Sequence, residues 1–295
     1  MADSVVVTGA TSGIGLVTAI ELAKAGYDVI GTARSTESAE HLLTQATHDQ
    51  VTIKTMLCDV ADPASTLRAF TEITTMTGGG PWAVVNNAGY AQAGAVEDVD
   101  DEAVRRQLEV NLVAPARIAR LVLPAMRQRR SGRIVNISSV SGRIAVPFIG
   151  WYAASKHGLE ALSDALRIEV AKFGVHVVLI EPASFGTAIW EKGAATLPNR
   201  DASAYRQTYE LAADTMYRAA TLPQPLPVAQ TVLRALQARR PRPRYLVGQQ
   251  ARPNVLLDAL LPTRVSDYAK AVATNLRTAP KPATFLVTHL TRRRR

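Results

Sequence analysis

The stretch SVVVTGATSGIG, Ser4–Gly15, decides how the rest of the chain is read. It opens on an apolar, β-branched run that reads as a buried strand. Glycines follow at positions 9, 13 and 15, and then LVTAIELAKAG, Leu16–Gly26, has the composition of a helix closed by glycine. Glycine leaves room for a ligand to approach the backbone. The helix start points free N–H groups and the positive end of its dipole at the same turn. Gly9, Thr11, Ser12, Gly13 and Ile14 are therefore candidate phosphate-binding positions. The competing reading is a glycine turn that serves only tight strand–helix packing.

Outward from this unit the alternation continues. YDVIGTAR (27–34) and VTIKTMLCDV (51–60) read as strands, and Pro63 to Met76 as a helix. WAVVNNAG (82–89) is a fourth strand, 100–126 a long helix, and GRIVNISS (132–139) a fifth strand. A helix from about Trp151 to Phe173 and the strand VHVVLIEP (175–182) follow. Val- and Ile-rich strands alternating with helices predict a parallel sheet covered on both faces. Right-handed crossovers make it a doubly wound α/β fold of the Rossmann type. Residues 1–250 are read as one domain and 251–295 as a helical extension with a basic tail. Residues 184–224 show no clear strand and read as a mobile lid or a disordered insertion, the lid spanning about 188–222.

Composition narrows the class. The chain has 295 residues, 47% of them hydrophobic and 20% charged, which suits a globular core rather than a disordered chain. Cys58 is the single cysteine, which excludes an internal disulfide and fits a reducing, cytoplasmic setting. No basic segment precedes the first apolar run, so no signal peptide is expected. The long uncharged stretches 4–20 and 73–96 are broken by polar residues and glycine and do not read as membrane spans. Of the net charge of +9, four units sit in Arg292–Arg295. That tail reads as solvated; no zinc-finger spacing or basic helix interleaved with aromatics points to nucleic acid, and the scattered histidines form no metal set.

Tyr152 and Lys156 stand four residues apart and share a helix face. At the end of the second strand, Ala33-Arg34 offers no acid for a ribose 2′-hydroxyl. Arg34 instead suits a 2′-phosphate, with Ser35 as a further hydroxyl, so NADP(H) is favoured over NAD(H).

Taken together, TGATSGIG, the CDV containing Asp59, NNAG (86–89), Asn111, NISS ending at Ser139, and YAASK with Ser139 thirteen residues before Tyr152 resemble the short-chain dehydrogenase/reductase family over about the first 190 residues. Within it, NNAGYAQAGAVED and the segment 152–182 are similar to the retinol and 17β-hydroxysteroid dehydrogenase branch. A phenol beside an ammonium and an oxidised nicotinamide is expected to ionise more readily, which makes Tyr152 a general acid/base for an alcohol or carbonyl. Ser139 would donate to the substrate oxygen. The resemblance further implies that Lys156 bonds the nicotinamide ribose and that Asn111 holds a relay water. By the same resemblance, Asp59 and Val60 lie at the adenine, Asn87, Ala88 and Gly89 line the cofactor, and Thr187 meets the carboxamide beyond Pro182. Where the family reads Pro-Gly this chain has Pro182-Ala183, so a changed loop path is expected there.

Phe148, Ile149, Trp151, Trp190, Tyr205, Tyr209 and Tyr217 either line a pocket for a lipophilic alcohol or carbonyl compound or pack the insertion onto the core. Phe148 and Trp190, with Ser139 and Tyr152, are the candidate substrate residues. The helices at 101–126 and 152–173 resemble the family's dimer faces, which implies a homodimer or homotetramer. NVLLDALLP with the Arg tail reads as a packed helix, or as a weak contact with a membrane surface. The alternatives to a dehydrogenase using NADP(H) are one preferring NAD, a non-catalytic dinucleotide sensor, and a nucleic-acid binder.

Overall fold

A computed structural model describes residues 2–198, 203–249 and 251–277. Its centre is a sheet of parallel strands: β1 Ser4–Val7, β2 Asp28–Ala33, β3 Lys54–Leu57, β4 Ala83–Asn86, β5 Gly132–Ile137, β6 Val175–Pro182 and β7 Arg244–Val247. The order β3-β2-β1-β4-β5-β6-β7 reverses direction between β1 and β4, which is the doubly wound topology read from the sequence. Beyond the carboxyl ends of β1 and β4 the crossovers part, leaving a crevice.

Both faces of the sheet are covered, as alternation along β1 requires. Val5 and Val7 belong to a core with Leu22 of α1 (Gly13–Lys24), Leu42 of α2 (Thr36–His48) and Val232 of α9 (Leu226–Gln237). Val6 faces the opposite core with Phe70 of α3 (Pro63–Met76), Ile118 of α5 (Ala114–Arg129) and Val170 of α6 (Gly150–Val170).

The structure departs from the sequence reading in three places. The helix α2 is not among the elements read from the sequence; Ser35 caps it, accepting from the Ser38 N–H at 3.2 Å. The long helix at 100–126 is divided into α4 (Asp101–Leu108), a π-helical turn at Glu109–Val113 and α5. The insertion is not a featureless lid: it carries α7 (Ala188–Ala195) and α8 (Arg206–Ala220). The extension is helical as read, forming α10 (Ala251–Leu260) and α11 (Thr263–Ala273), but Leu256, Leu257 and Leu260 are exposed rather than packed. Arg292–Arg295 lie outside the described residues. No described helix is long and apolar enough to cross a membrane.

Candidate active site

The crevice at the strand ends is a cleft of about 810 Å³. Its floor is the glycine turn. Gly9 has φ +63° and Gly13 φ +53°, left-handed backbone that favours glycine. A Cβ on Gly9 would stand 3.0 Å from Ala88 Cα. A Cβ on Gly15 would come within 2.2 Å of the Gly9 carbonyl oxygen and 2.4 Å of Asn87 Nδ2. Asn87 fastens the turn to β4 by donating to the Thr8 and Gly9 carbonyls at 2.9 and 3.1 Å. Ser12 precedes α1 without capping it through its side chain, and no acid occupies the first turn. The first N–H groups of α1 and its dipole therefore suit an anion.

Most expected cofactor positions meet on this one cleft. Gly9, Thr11, Ser12, Gly13 and Ile14 line it, as do Arg34, Asp59, Val60, Asn87, Ala88 and Gly89. Thr187 lines it too. The Pro182-Ala183 loop still returns to the glycine turn: the Thr187 methyl lies 3.2 Å from where a Cβ on Gly13 would stand. Ala183 N–H donates to the Val247 carbonyl at 2.8 Å, so the segment after β6 leaves along β7.

Two positions lie elsewhere. Ser35 is engaged in capping α2 and lies 3.0 Å from the Ser38 hydroxyl, while Ser38, Glu37 and His41 reach the cleft. These three escape the sequence reading because α2 does; the signal available is Ser35 ahead of Thr36-Glu37-Ser38. Pro182 is buried at the end of β6 in register with Val247 and stays outside the cleft wall.

Tyr152 and Lys156 lie on the inner face of α6 and both reach the cleft. The Lys156 ammonium is 5.8 Å from the centre of the Tyr152 ring and donates to the Ile137 carbonyl at 2.8 Å. Burial pulls Lys156 down to about 8, against the pull of the Glu160 carboxylate. For Tyr152, without a nicotinamide beside it, burial pushes the phenol up, and the Ser139 hydroxyl bonded to it opposes that rise. Within the protein itself desolvation outweighs that bond. Ser139 also starts a tight turn by accepting from Ser141 N–H at 3.0 Å.

Asn111 is buried in the π-helical turn, where an extra residue per turn rotates its amide out of the helical series. It donates to the Tyr90 carbonyl at 3.0 Å and the Ser155 hydroxyl at 3.1 Å, and accepts from Tyr90 N–H at 3.2 Å. It thus ties the segment after β4 to α6, one residue from Lys156.

Of the aromatic residues, several pack the insertion rather than line the cleft. Phe148 meets Tyr205 and Tyr209 edge-on, with centroids 5.9 and 5.4 Å apart. Trp151 donates to the Val96 carbonyl at 3.3 Å. Trp190 packs in a cluster that includes Ala91, Ile149, Met216 and Tyr152 itself. The insertion contributes Ile189, Lys192 and Thr196 to the cleft.

The chain has known relatives in sequence and in fold. A family profile described as short chain dehydrogenase matches residues 3–197. An uncharacterised oxidoreductase of Bacillus subtilis, YusZ, is 38% identical over 215 residues, covering 70% of this chain and 74% of that protein. Mouse retinol dehydrogenase 5 is 34% identical over 292 residues, covering 94% of this chain and 89% of that one. A crystal structure of a single-residue variant of actinorhodin polyketide ketoreductase with NADPH superposes with a TM-score of 0.71 at 29% identity, covering 85% of this chain and 97% of the other.

Proposed function

Because the chain belongs to the short-chain dehydrogenase/reductase family and is an oxidoreductase, we propose that it interconverts an alcohol and a carbonyl on a lipophilic substrate with NADP(H). The observation that carries this reading is the meeting of Tyr152 and Lys156 with the glycine turn on one cleft wall. The cradle fits a dinucleotide: Gly9–Ile14 and the start of α1 hold the pyrophosphate, Asp59 and Val60 the adenine, Asn87–Gly89 the ribose side, and Thr187 the carboxamide. A nicotinamide, when bound, supplies or accepts the hydride.

Every other step belongs to the protein. Tyr152 gives its phenolic proton to a substrate carbonyl oxygen, or takes one from an alcohol in the reverse direction. Ser139 donates to the same oxygen as charge develops on it. Lys156 holds a ribose hydroxyl and favours the phenolate as the proton leaves. Asn111 holds the relay that returns a proton from solvent. Arg34 meets the 2′-phosphate, and NADPH bound to a structural relative supports that choice. The likeness to retinol dehydrogenase 5 and the apolar cluster around Tyr152 and Trp190 support a lipophilic substrate of retinoid or steroid type. Exposed Val113 and Ile168, beside and on the helices α5 and α6, suit a homo-oligomer built through those faces.

Fluorescence titration with NADPH and NADH, on wild type and Arg34→Ala, tests the reading. Tighter NADPH binding that the variant loses is expected. Binding of neither nucleotide overturns the proposal. A panel of apolar ketones and alcohols then fixes the substrate class.

A further inference from the structure

One turn along α6 from Lys156, and on the neighbouring strand β6, lie two acids that the proposed chemistry does not use. Glu181 of β6 is 0% exposed and Glu160 of α6 is 6% exposed. Isolated carboxylates at that depth are costly, so their partners matter. Arg244 of β7 places its Nε 2.9 Å from Glu160 Oε2 and 3.2 Å from Glu181 Oε1. Arg143, in the turn after β5, stands 3.6 Å from Glu181 Oε1. Asp164, one turn further along α6, shares Arg244. With Lys156 these are the charged groups facing the two acids from the elements packed around them. The cations do not satisfy the oxygens: Glu160 Oε1 and both Glu181 oxygens, with the Ser138 hydroxyl, are buried without a hydrogen bond among the described residues. Both carboxyls reach the same Arg244 Nε, which makes them neighbours, and a hydrogen bond between them is the contact open to their unpaired oxygens. Two carboxylates only accept, so that bond exists only when one is protonated.

The surroundings link this pair to the catalytic segment. Lys156 and Glu160 are four apart on one helix face. Gly142 closes the turn that begins at Ser139, and a Cβ there would stand 3.0 Å from Glu160 Cγ and 2.8 Å from the Ser138 hydroxyl. The turn therefore rests on the acid pair.

We propose that Glu160 and Glu181 form a buried carboxyl pair that shares one proton, and that its remaining charge sets the protonation of Lys156 and so the charge beside Tyr152. Both are positioning residues, acting through Lys156. Their weight for turnover rests on the acid/base reading above, but the pair itself does not. Below neutral pH one proton bridges the pair and one negative charge faces Lys156. When that proton leaves, a second negative charge appears and strengthens the hold of Lys156 on its own proton.

The test uses the full chain labelled with ¹³C at the ε-carbon of its seven lysines. Lys156 is identified by the resonance missing in Lys156→Arg. In wild type its titration is expected in two steps: an inflection near neutral pH when the pair ionises, then its own midpoint below those of the other lysines. Glu160→Gln moves that midpoint down by about one pH unit, the size expected for losing a charge at this range. Glu181→Gln removes the first inflection and, at pH 6, an infrared band from a protonated carboxyl. A single-step wild-type curve overturns the pair, and needs no variant to fold. A Lys156 midpoint identical in Glu160→Gln and wild type overturns the coupling. Because these titrations need no substrate, a two-step curve in a protein that turns over no carbonyl compound supports the pair and sinks only the oxidoreductase reading.

Discussion

Lys156 Nζ donates to the carbonyl of Ile137, the last residue of β5, at 2.8 Å. The bond pins the ammonium at the strand end that leads into Ser138 and Ser139. It does not restore the hydration lost, and burial holds Lys156 near 8 against an ordinary 10.5. Carbonyl reduction is therefore expected to hold level up to about that pH and decline above it, as the ammonium loses its proton. Stability carries the matching sign. The folded value is below the unfolded one, so between about 8 and 10.5 the unfolded chain binds more protons and stability rises with pH. Lys156→Met should flatten that rise in a series of thermal melts. A melt series unchanged by the substitution counts against the assignment.

Tyr152→Phe removes the phenolic oxygen and keeps the ring among Ile149, Ala194 and Met216. The expected result is a fall in kcat of about 10²- to 10⁴-fold, the usual worth of a positioned acid or base. Nucleotide binding and melting temperature should stay close to wild type. Steady-state kinetics beside an NADPH titration separates this from a folding defect, which would lower both together.

How much of this is legible in the residues differs from element to element. The strand–turn–helix at 4–24 is readable because β-branched runs, glycine spacing and helical periodicity are local signals. The pairing of Tyr152 with Lys156 is readable for the same reason, since i and i+4 share a helix face. The π-helical turn at Asn111 is not: a shift from 3.6 residues per turn is made by tertiary hydrogen bonds to Tyr90 and Ser155, which periodicity does not encode. Burial is likewise collective, and so the direction of the Tyr152 shift does not follow from its neighbour alone. Phe148 reads as a pocket residue in the sequence, but the partners that claim its ring, Tyr205 and Tyr209, come from a distant part of the chain.

Glu37 stands in the first turn of α2 and lines the same cleft as Arg34. A carboxylate near a bound 2′-phosphate opposes it. Removing that repulsion by Glu37→Gln is expected to tighten NADPH binding about three- to tenfold, a change of about 1 kcal/mol across a solvated cleft, and to leave NADH unaffected. Titration of both nucleotides at low and high salt checks it. Equal tightening for NADH would place Glu37 at another part of the nucleotide.

Gly15→Ala has no room to be accommodated, because the atoms in its way are the Gly9 carbonyl and the Asn87 amide. Backbone must shift, and the two bonds from Asn87 to Thr8 and Gly9 go with it. A loss of about 1–3 kcal/mol is expected in denaturant unfolding, together with loss of nucleotide binding. A variant of wild-type stability that still binds NADPH would show that the glycine turn does not depend on this close approach.

Tyr209 is the buried post on which the insertion stands. Its ring is 0% exposed, and its hydroxyl accepts from Ala95 N–H at 2.8 Å while donating to Asp98, which also accepts from Ser203. Burial pushes the phenol up to about 12, so it remains a donor across the working pH range. Tyr209→Phe keeps the edge contact with Phe148 but leaves a buried N–H unpaired and Asp98 short of one donor. The expected cost is about 1–2 kcal/mol, which in a chain of this size lowers Tm by about 2–6 °C. Because α7 and α8 pack together and α7 supplies Ile189 and Lys192 to the cleft, the lost post should also raise KM for an apolar substrate more than it lowers kcat. Hydrogen exchange of α8 amides against those of β5 discriminates the two possibilities. Faster exchange confined to α8 supports a lid held by Tyr209, whereas equal acceleration in both would mean that the substitution weakens the whole domain.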